Sequence, residues 1–177
     1  EDMLGLLRGL DRCVKAGKVR FCGLSNETPW GVNEYLCLAK LHDLPIMASV
    51  QNEFNLLHTT DWPYMMEMCS LNNVAYLPWS PLAGGTLSGK YLAGARPIGS
   101  RWTVSQRLAL FRDTPRSDAA VEAYVAVAER YDLTAAQLAL AWVNQVNGVS
   151  STIIGATSED QLRENVAAFD MQLPLSV

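Results

Sequence analysis

The sequence predicts an α/β fold built from parallel βα units. Short apolar segments typical of buried strands alternate with segments that have helical periodicity. Helix-capping residues and glycines separate the two kinds of segment, and a long glycine-rich stretch follows the third strand-like segment. Strands joined through a helix run parallel with right-handed crossovers, so an open doubly wound sheet and part of a (β/α)8 barrel both fit this pattern.

The composition is that of a globular protein. Of the 177 residues, 49% are apolar and 18% are charged, unlike a disordered chain. The net charge of −4 argues against nucleic acid as a partner, and no apolar run is long enough to span a membrane. The four scattered cysteines predict small buried thiols in a reducing, cytoplasmic setting. A leader lost upstream of Glu1 would instead indicate an organelle.

Three helices and three strands are predicted in the first half. The helices span residues 3–16, 29–40 and 61–71, and the strands span residues 19–24, 46–51 and 74–79. Gly17 provides a left-handed cap for the first helix, and Thr28 followed by Pro29 marks the start of the second. Because no strand precedes the first helix, we expect the chain to begin inside a larger fold.

The second half opens with a long irregular segment, residues 80–117. Its arginines are Arg96, Arg101, Arg107, Arg112 and Arg116. They indicate either a solvated loop or a lid that closes over a pyrophosphate. Helices follow over residues 118–131, 135–147 and 159–168, with a fourth strand over 151–154. Two capping boxes, Thr134 with Gln137 and Ser158 with Gln161, mark helix starts. The sequence stops where another helix could start, so both ends look cut.

Polar side chains follow the predicted strands. Ligands gather at the C-terminal ends of parallel strands in both candidate architectures. Ser25, Asn26 and Gln51 offer the donors and acceptors that suit an amide-bearing ring such as nicotinamide, and Trp79 could stack on that ring. The alternatives are an ordinary turn at Ser25–Asn26 before Thr28 and a core position for Trp79.

Two segments have features of phosphate-binding sites. Gly84, Gly89 and Lys90 fit the G-x-x-x-x-G-K pattern of a triphosphate loop, but Tyr91 stands where Ser or Thr would bind Mg²⁺. The helix that begins after Gly155 offers free N–H groups, although two acids in its first turn disfavour a phosphate. The segment over residues 75–91 is therefore the stronger candidate.

Recognisable catalytic groups are scarce. His42 lies at the end of the units opposite the strand ends, and His58 has no visible partner. The sequence contains no G-x-S-x-G, H-E-x-x-H or paired-carboxylate motif. It therefore predicts a cofactor-binding surface, no metal site and no catalytic residue.

Together these motifs resemble the aldo-keto reductase family. The resemblance covers residues 1–177 as one domain, the C-terminal half of that family's (β/α)8 TIM barrel with about four βα units. It rests on residues 17–26, 51–52, 79–82 and 155–165, which follow the family's order and spacing. Residues 87–91 resemble the branch that contains potassium channel β-subunits and bacterial and plastid reductases. The missing N-terminal half of the barrel is the implied structural partner.

The resemblance implies NADP as the cofactor, with NAD less favoured. Ser25, Asn26 and Gln51 would bind the nicotinamide carboxamide, with Trp79 stacked on the ring. The residues that would line the pyrophosphate are Ser80, Leu82, Ala83, Gly84 and Lys90, with Arg101 on the adenosine side. The residues that would hold the adenosine and its 2′-phosphate are Gly155, Thr157, Gln161, Glu164 and Asn165. Many family members have Lys and Arg at the first and third of these five positions, which weakens the inference of NADP over NAD.

The resemblance also implies an oxidoreductase that reduces aldehyde and ketone carbonyls. The family's catalytic Asp, Tyr, Lys and His belong to the first half of the barrel, and none of those positions exists in this sequence. We therefore expect the isolated chain to be inactive, and unstable or dimerised because of its open sheet edges. The alternative is a non-catalytic, dinucleotide-sensing regulatory subunit similar to the channel β-subunits. The substrate pocket is built from variable loops, so the sequence does not identify the carbonyl compound.

Overall fold

Helices and strands alternate through the first half of the chain. The computed structural model describes residues 2–105 and 112–176. Its first six elements are α1 (Met3–Lys15), β1 (Cys22–Ser25), α2 (Pro29–Leu41), β2 (Met47–Gln51), α3 (Tyr64–Leu71) and β3 (Ala75–Tyr76). All six agree in type with the prediction, although β1 and β2 begin later and β3 is shorter.

The strands form one parallel sheet in the order β1–β2–β3. The register pairs Ser25 with Gln51, and Val50 with Tyr76. The prediction of an α/β fold with a parallel sheet is therefore confirmed. Within the described residues this sheet is open and does not close into a barrel.

The prediction of a fourth strand over residues 151–154 was wrong. In its place a single parallel bridge joins Val149 to Tyr76, and the Ser150 N–H donates to the Tyr76 carbonyl at 2.9 Å. The Ile153 N–H donates to the Pro78 carbonyl at 2.8 Å. Pro78 has no N–H and cannot donate to the neighbouring segment. The parallel hydrogen-bond ladder between β3 and residues 149–154 therefore stops, and only isolated hydrogen bonds form.

Helices make up most of the second half. They are α4 (Arg101–Val104), α5 (Pro115–Arg130), α6 (Ala135–Gln145) and α7 (Glu159–Ala167). The segment predicted to be irregular also contains short 3₁₀ turns over Ala83–Ser88 and Leu92–Gly94. Within the described residues, α5 starts earlier than predicted because Thr114 caps it and Pro115 fits the first helical turn.

Helix capping largely follows the sequence. The hydroxyl of Thr28 accepts the Gly31 N–H at 3.0 Å, and Gly17 has the expected positive φ of 70°. The capping box of Thr134 and Gln137 is complete, with both reciprocal hydrogen bonds present. These contacts satisfy N–H groups that the helix itself leaves unpaired.

The chain divides into two compact units. The first unit comprises Glu1–Asn52, Thr60–Leu77 and Asn147–Ser151, and the second comprises Glu53–Thr59, Pro78–Val146 and Thr152–Val177. Fully buried side chains of the first unit include Leu7, Val32, Met47, Val50 and Tyr76. An apolar cluster of the second unit contains Ala83, Leu87, Val121 and Ala139. The glycine-rich segment that follows β3 is therefore anchored by its own apolar residues, Ala83 and Leu87.

The cysteines only partly match the expectation of buried thiols. All four are free, and Cys22 and Cys69 are buried. Cys13 is half-buried and Cys37 on α2 is exposed, which the expectation did not include. No helix of the described chain combines the length and apolar character needed to cross a membrane.

Candidate functional site

Polar groups meet at the ends of β1 and β2 in the first unit. Ser25 and Gln51 are partners in the parallel register, and the Asn26 N–H donates to the Gln51 carbonyl at 3.0 Å. Asn26 adopts a left-handed backbone with φ of 55°, where the chain leaves the strand. The fold thus brings together three predicted site residues, which we call the strand-end group (Ser25, Asn26, Gln51).

A network of buried polar side chains supports the strand-end group. The Asn52 side chain, 7% exposed, donates to the Glu27 carbonyl at 2.8 Å and accepts the Glu27 N–H at 3.0 Å. It also donates to the Asp61 carboxylate at 2.8 Å, which accepts the Tyr76 hydroxyl at 2.7 Å. Asn52 therefore ties the turn after β1 to the end of β2 as a strand partner would.

Burial raises the pKa values of one group in this network and of one group beside it. It raises the pKa of the Cys69 thiol to about 11, with a further contribution from the negative charge of Asp61. It also raises the pKa of the Tyr76 phenol, and so does the hydrogen bond from that phenol to Asp61. Both groups therefore stay protonated in the folded chain at neutral pH.

The free energy of unfolding is expected to fall as the pH rises from about 9 towards 11. A raised pKa in the folded state contributes stability below the unfolded pKa, which for Cys69 is 9.0, and loses it as the pH rises through the folded value. Urea unfolding between pH 8 and 11 should show a shallower decline in Cys69→Ala. Cys37→Ala, which removes an exposed thiol, is the matched control. Equal declines in both variants would contradict burial as the cause.

The second unit carries the segment that follows β3. Trp79 lies outside the strand in which it was predicted, and its side chain is half-buried. It forms a single parallel bridge with Glu53, and its carbonyl accepts the Phe54 N–H at 3.4 Å. The next residue, Ser80, has a φ of 53°, which turns the chain into the glycine-rich loop.

Two glycines of this loop lie near the side chains of two basic residues. Gly84 and Gly85 have φ values of 69° and 95°, which disfavour any side chain. A Cβ atom on Gly85 would lie 2.9 Å from Cε and 3.0 Å from Nζ of Lys90. A Cβ atom on Gly84 would lie 4.0 Å from Cδ of Arg101. Two half-buried glycines with positive φ thus lie near two basic side chains, a composition typical of an anion-binding loop.

The loop backbone is further ordered by Leu82 and Ala83. The Leu82 carbonyl accepts the N–H groups of Gly85 and Leu87 at 2.9 and 3.2 Å, and Ala83 is fully buried. The residues predicted to line the pyrophosphate therefore belong to a single folded loop: Ser80, Leu82, Ala83, Gly84 and Lys90. Arg101, predicted on the adenosine side, begins the flanking helix α4. We call residues 80–90 the glycine loop.

Tyr91 has a structural role that is incompatible with a triphosphate loop. Its ring stacks on Trp102 with centroids 4.0 Å apart and an interplanar angle of 3°. The side chain is 2% exposed, and its hydroxyl accepts the Trp102 N–H at 3.4 Å. Because this buried ring anchors α4 to the end of the glycine loop, Tyr91 does not replace a magnesium-binding hydroxyl.

The third group of predicted residues lies around the start of α7. The Gln161 side chain accepts hydrogen bonds from the N–H and hydroxyl of Thr157, at 2.9 and 3.0 Å. The predicted capping box is therefore only half formed: Ser158 accepts the Gln161 N–H at 3.3 Å, but the Gln161 side chain turns to Thr157. The amide oxygen of Gln161 is therefore occupied within the turn. The Gln161 NH₂ group is the part of this side chain that could donate to a ligand.

The remaining residues of this group are also held by internal hydrogen bonds. Asn165 is 4% exposed and donates to the Gly155 carbonyl at 3.2 Å. The Glu164 carboxylate accepts the Thr134 hydroxyl at 2.7 Å, which fixes α7 against the start of α6. The structure thus brings Gly155, Thr157, Gln161 and Asn165 together in one turn, with Glu164 directed to Thr134.

The arginines of the long segment do not behave as one lid. Arg96 forms an ion pair with Asp113 and lies over the Trp102 ring, and Arg112 forms an ion pair with Glu53. Arg116 lies in the first turn of α5, and Arg107 is outside the described residues. Two of the described arginines are thus engaged by acids, and Arg101 remains the one placed against the glycine loop.

A groove of about 540 Å³ in the first unit has the wrong charge for a dinucleotide. Its lining includes Asp2, Glu27, Trp30 and Glu34, but none of the predicted cofactor residues. Three carboxylates would repel phosphate groups. Among the described residues there is also no cluster of three or more His, Cys, Asp or Glu side chains that could hold a metal ion.

One protein family matches the sequence of this chain over its whole length. The sequence profile of the aldo/keto reductase family matches residues 1–177. The chain belongs to the aldo/keto reductase family. The resemblance predicted from the sequence is thereby confirmed over the whole chain.

Several curated aldo/keto reductase relatives align with nearly all of the chain. Protein tas of Escherichia coli is 41% identical over 97% of this chain and 49% of its own length. An aldo-keto reductase of Babesia bovis is 38% identical over 94% of this chain and 59% of its own length. A probable voltage-gated potassium channel subunit beta of Arabidopsis thaliana is 31% identical over 96% of this chain and 52% of its own length. The chain thus spans about half the length of these relatives.

Sequence reasoning missed the contacts that hold the candidate groups in place. Asn52, Asp61 and Tyr76 form the buried network of the first unit, and Gly85 contacts Lys90 in the second. The only available signal was an amide residue directly after a strand, since Asn52 follows Gln51. Partners that are distant in sequence leave no local pattern.

Proposed function

We propose that this chain is the cofactor-binding, C-terminal half of an NADP(H)-dependent aldo-keto reductase barrel. The observation that carries the proposal is the glycine loop, where Gly85 lies against the end of the Lys90 side chain and Gly84 lies near Cδ of Arg101. Basic side chains beside a glycine-rich turn favour a pyrophosphate. The family assignment favours a nicotinamide dinucleotide as the molecule that carries it.

Within each unit, the chemistry of the candidate groups suits a particular part of the dinucleotide. The strand-end group offers amide and hydroxyl groups that suit the carboxamide, and Trp79 offers a ring face for the nicotinamide. The glycine loop would hold the pyrophosphate with Lys90, and Arg101 would approach from the adenosine side. The turn at Gly155–Asn165 would hold the adenosine. The bound dinucleotide supplies the hydride that reduces an aldehyde or ketone carbonyl.

The 2′-phosphate would be held without a clamp of basic side chains. Gly155 has open space where a Cβ would lie, and Gln161 contributes a neutral NH₂ group. We propose NADP over NAD on the family resemblance, with a modest preference set by hydrogen bonds. No residue of this chain is assigned to proton transfer, and cytoplasmic location remains a prediction.

Arg101→Ala is expected to weaken NADPH binding by the full-length protein about fivefold to tenfold. The exposed Arg101 side chain passes Gly84 through its Cδ, so its guanidinium would supply one charge-assisted donor whose loss removes a single contact. Asn165→Ala should weaken binding by a similar factor, because the Gly155 carbonyl loses its donor. Fluorescence titration with NADPH measures both effects.

Arg130→Ala is the matched control, since it removes an exposed arginine in the last turn of α5. It should leave the affinity for NADPH unchanged. Unchanged affinity in both Arg101→Ala and Asn165→Ala would refute the assignment of the phosphate and adenosine contacts.

A dinucleotide-sensing regulatory subunit is the second candidate function. The relatives named as probable potassium channel subunits beta favour it, since they align over 96% of this chain. Both functions require dinucleotide binding, so carbonyl turnover separates them. NADPH oxidation with a panel of aldehydes and ketones supports the reductase, whereas tight binding without turnover supports the regulatory subunit.

A further inference from the structure

Among the described residues, Asn55 is the most completely buried polar side chain near the glycine loop. It is 0% exposed and belongs to the second unit, just after the bridge of Glu53 to Trp79. Its oxygen accepts the Leu57 N–H at 2.9 Å. Its NH₂ group donates to the Ser80 carbonyl at 3.0 Å and to the Glu53 carboxylate at 3.2 Å. A buried amide with this set of partners is held in one orientation.

The carbonyl that Asn55 contacts begins the glycine loop. The Ser80 carbonyl also accepts the Ala83 N–H at 2.8 Å, so it closes the first turn of the loop. Ser80 itself has a φ of 53°, a conformation that is unfavourable for any residue with a Cβ. A residue in this conformation persists only where its surroundings hold it. Asn55 supplies a long-range hydrogen bond at that point.

A half-buried ion pair orients Asn55 from the other side. Glu53 accepts from Asn55 and pairs with Arg112, and both charged side chains are about one-fifth exposed. Charge on Glu53 strengthens the hydrogen bond from the amide. Together these residues make a continuous chain of contacts, Arg112 to Glu53 to Asn55 to Ser80, that ends in the glycine loop.

We propose that Asn55 is a positioning residue that holds Ser80 in its left-handed conformation and so preforms the glycine loop for phosphate binding. The Glu53–Arg112 ion pair keeps the Asn55 amide directed at Ser80. Only the identity of the ligand rests on the proposed function. The preformed loop is a property of the chain without ligand, so the two claims can fail separately.

The test measures amide hydrogen exchange of residues 82–89 in the full-length protein without dinucleotide. Asn55→Ala should raise exchange in this segment about tenfold, while exchange in α6 stays within about twofold. Ser80→Gly in the Asn55→Ala background should return exchange to within about threefold of Ser80→Gly alone, because glycine adopts a positive φ without a holding contact. Ser80→Ala, which loses the hydroxyl but keeps the Cβ, should give no recovery.

The opposite results overturn the proposal. Unchanged exchange in Asn55→Ala, equal recovery by Ser80→Gly and Ser80→Ala, or a uniform rise that includes α6 would each refute it. Glu53→Gln serves if Asn55→Ala does not fold, and it should raise exchange in the same segment about threefold. Titration with NADP⁺ then separates the claims. If the exchange pattern is as predicted but the wild-type protein does not bind NADP⁺, Asn55 remains a positioning residue. The proposal that the ligand is a dinucleotide is then refuted.

Discussion

Gly85→Ala is expected to weaken NADPH binding by the full-length protein at least about tenfold. The added Cβ would lie 2.9 Å from Cε of Lys90 and would displace its ammonium group from the glycine loop. It would also disfavour the backbone, because Gly85 has a φ of 95°. Both effects act where we propose the pyrophosphate binds. Titration of NADPH fluorescence against wild-type protein gives the ratio of dissociation constants.

Gly94→Ala separates the two effects of this substitution. Gly94 has a φ of 74°, but a Cβ there would meet nothing within 4 Å. Both variants should therefore lose about 1 kcal/mol of stability from backbone strain. Only Gly85→Ala should lose NADPH affinity. Equal loss of affinity in both variants, or none in Gly85→Ala, would contradict the role of Lys90 in the glycine loop.

Asn52→Asp is expected to destabilise the protein by about 3 kcal/mol at pH 7. The substitution would replace a donor by a carboxylate at 2.8 Å from the Asp61 carboxylate, in a site where Asn52 is 7% exposed. One of the two acids must then take up a proton, so its folded pKa rises above its unfolded value near 4. The loss should therefore be smallest near pH 4 and should grow as the pH rises. Urea unfolding across this pH range measures it.

Asn72→Asp is the control, because it replaces an amide by a carboxylate at a position away from Asp61. The Asn72 amide donates to the Met68 carbonyl at 2.9 Å at the end of α3. This variant should lose about 1 kcal/mol. Adding Asp61→Asn to Asn52→Asp should restore most of the stability, because a donor then faces the new carboxylate. If the double variant is no more stable than Asn52→Asp, the proposed carboxylate repulsion is wrong.

Helix ends were the most predictable part of the fold. Thr28, Thr134 and Gly17 act through hydrogen bonds or dihedral preferences confined to a few neighbouring residues, and the sequence displays those residues directly. The alternation of α1–α3 with β1–β3 followed from hydrophobic periodicity for the same reason. Local interactions leave local patterns.

Strand extents were less predictable because they depend on partners. β3 ends at Tyr76 although the apolar run continues to Trp79, and the segment over residues 151–154 makes isolated hydrogen bonds only. Pro78 was visible in the sequence, but its effect depends on which chain lies beside it. Parallel pairing is a long-range property that a single sequence does not specify.

The candidate site shows the same difference between local and long-range interactions. Residues at strand ends and in the glycine loop were predicted from motif order, and the structure brings Ser25 beside Gln51 and Lys90 beside Gly85. The residues that hold them, such as Asn52 and Asn55, act through partners more than twenty residues away. Such contacts become visible only in the folded chain.

Dinucleotide binding is the most direct test of the proposed function. The full-length protein should be titrated with NADPH and with NADH, and the fluorescence of the bound dinucleotide recorded. We expect saturable binding of one NADPH per chain, with a dissociation constant below about 100 μM. NADH should bind more weakly. Failure to bind either dinucleotide at about millimolar concentration would contradict the proposal that this chain is the cofactor-binding half of an aldo-keto reductase.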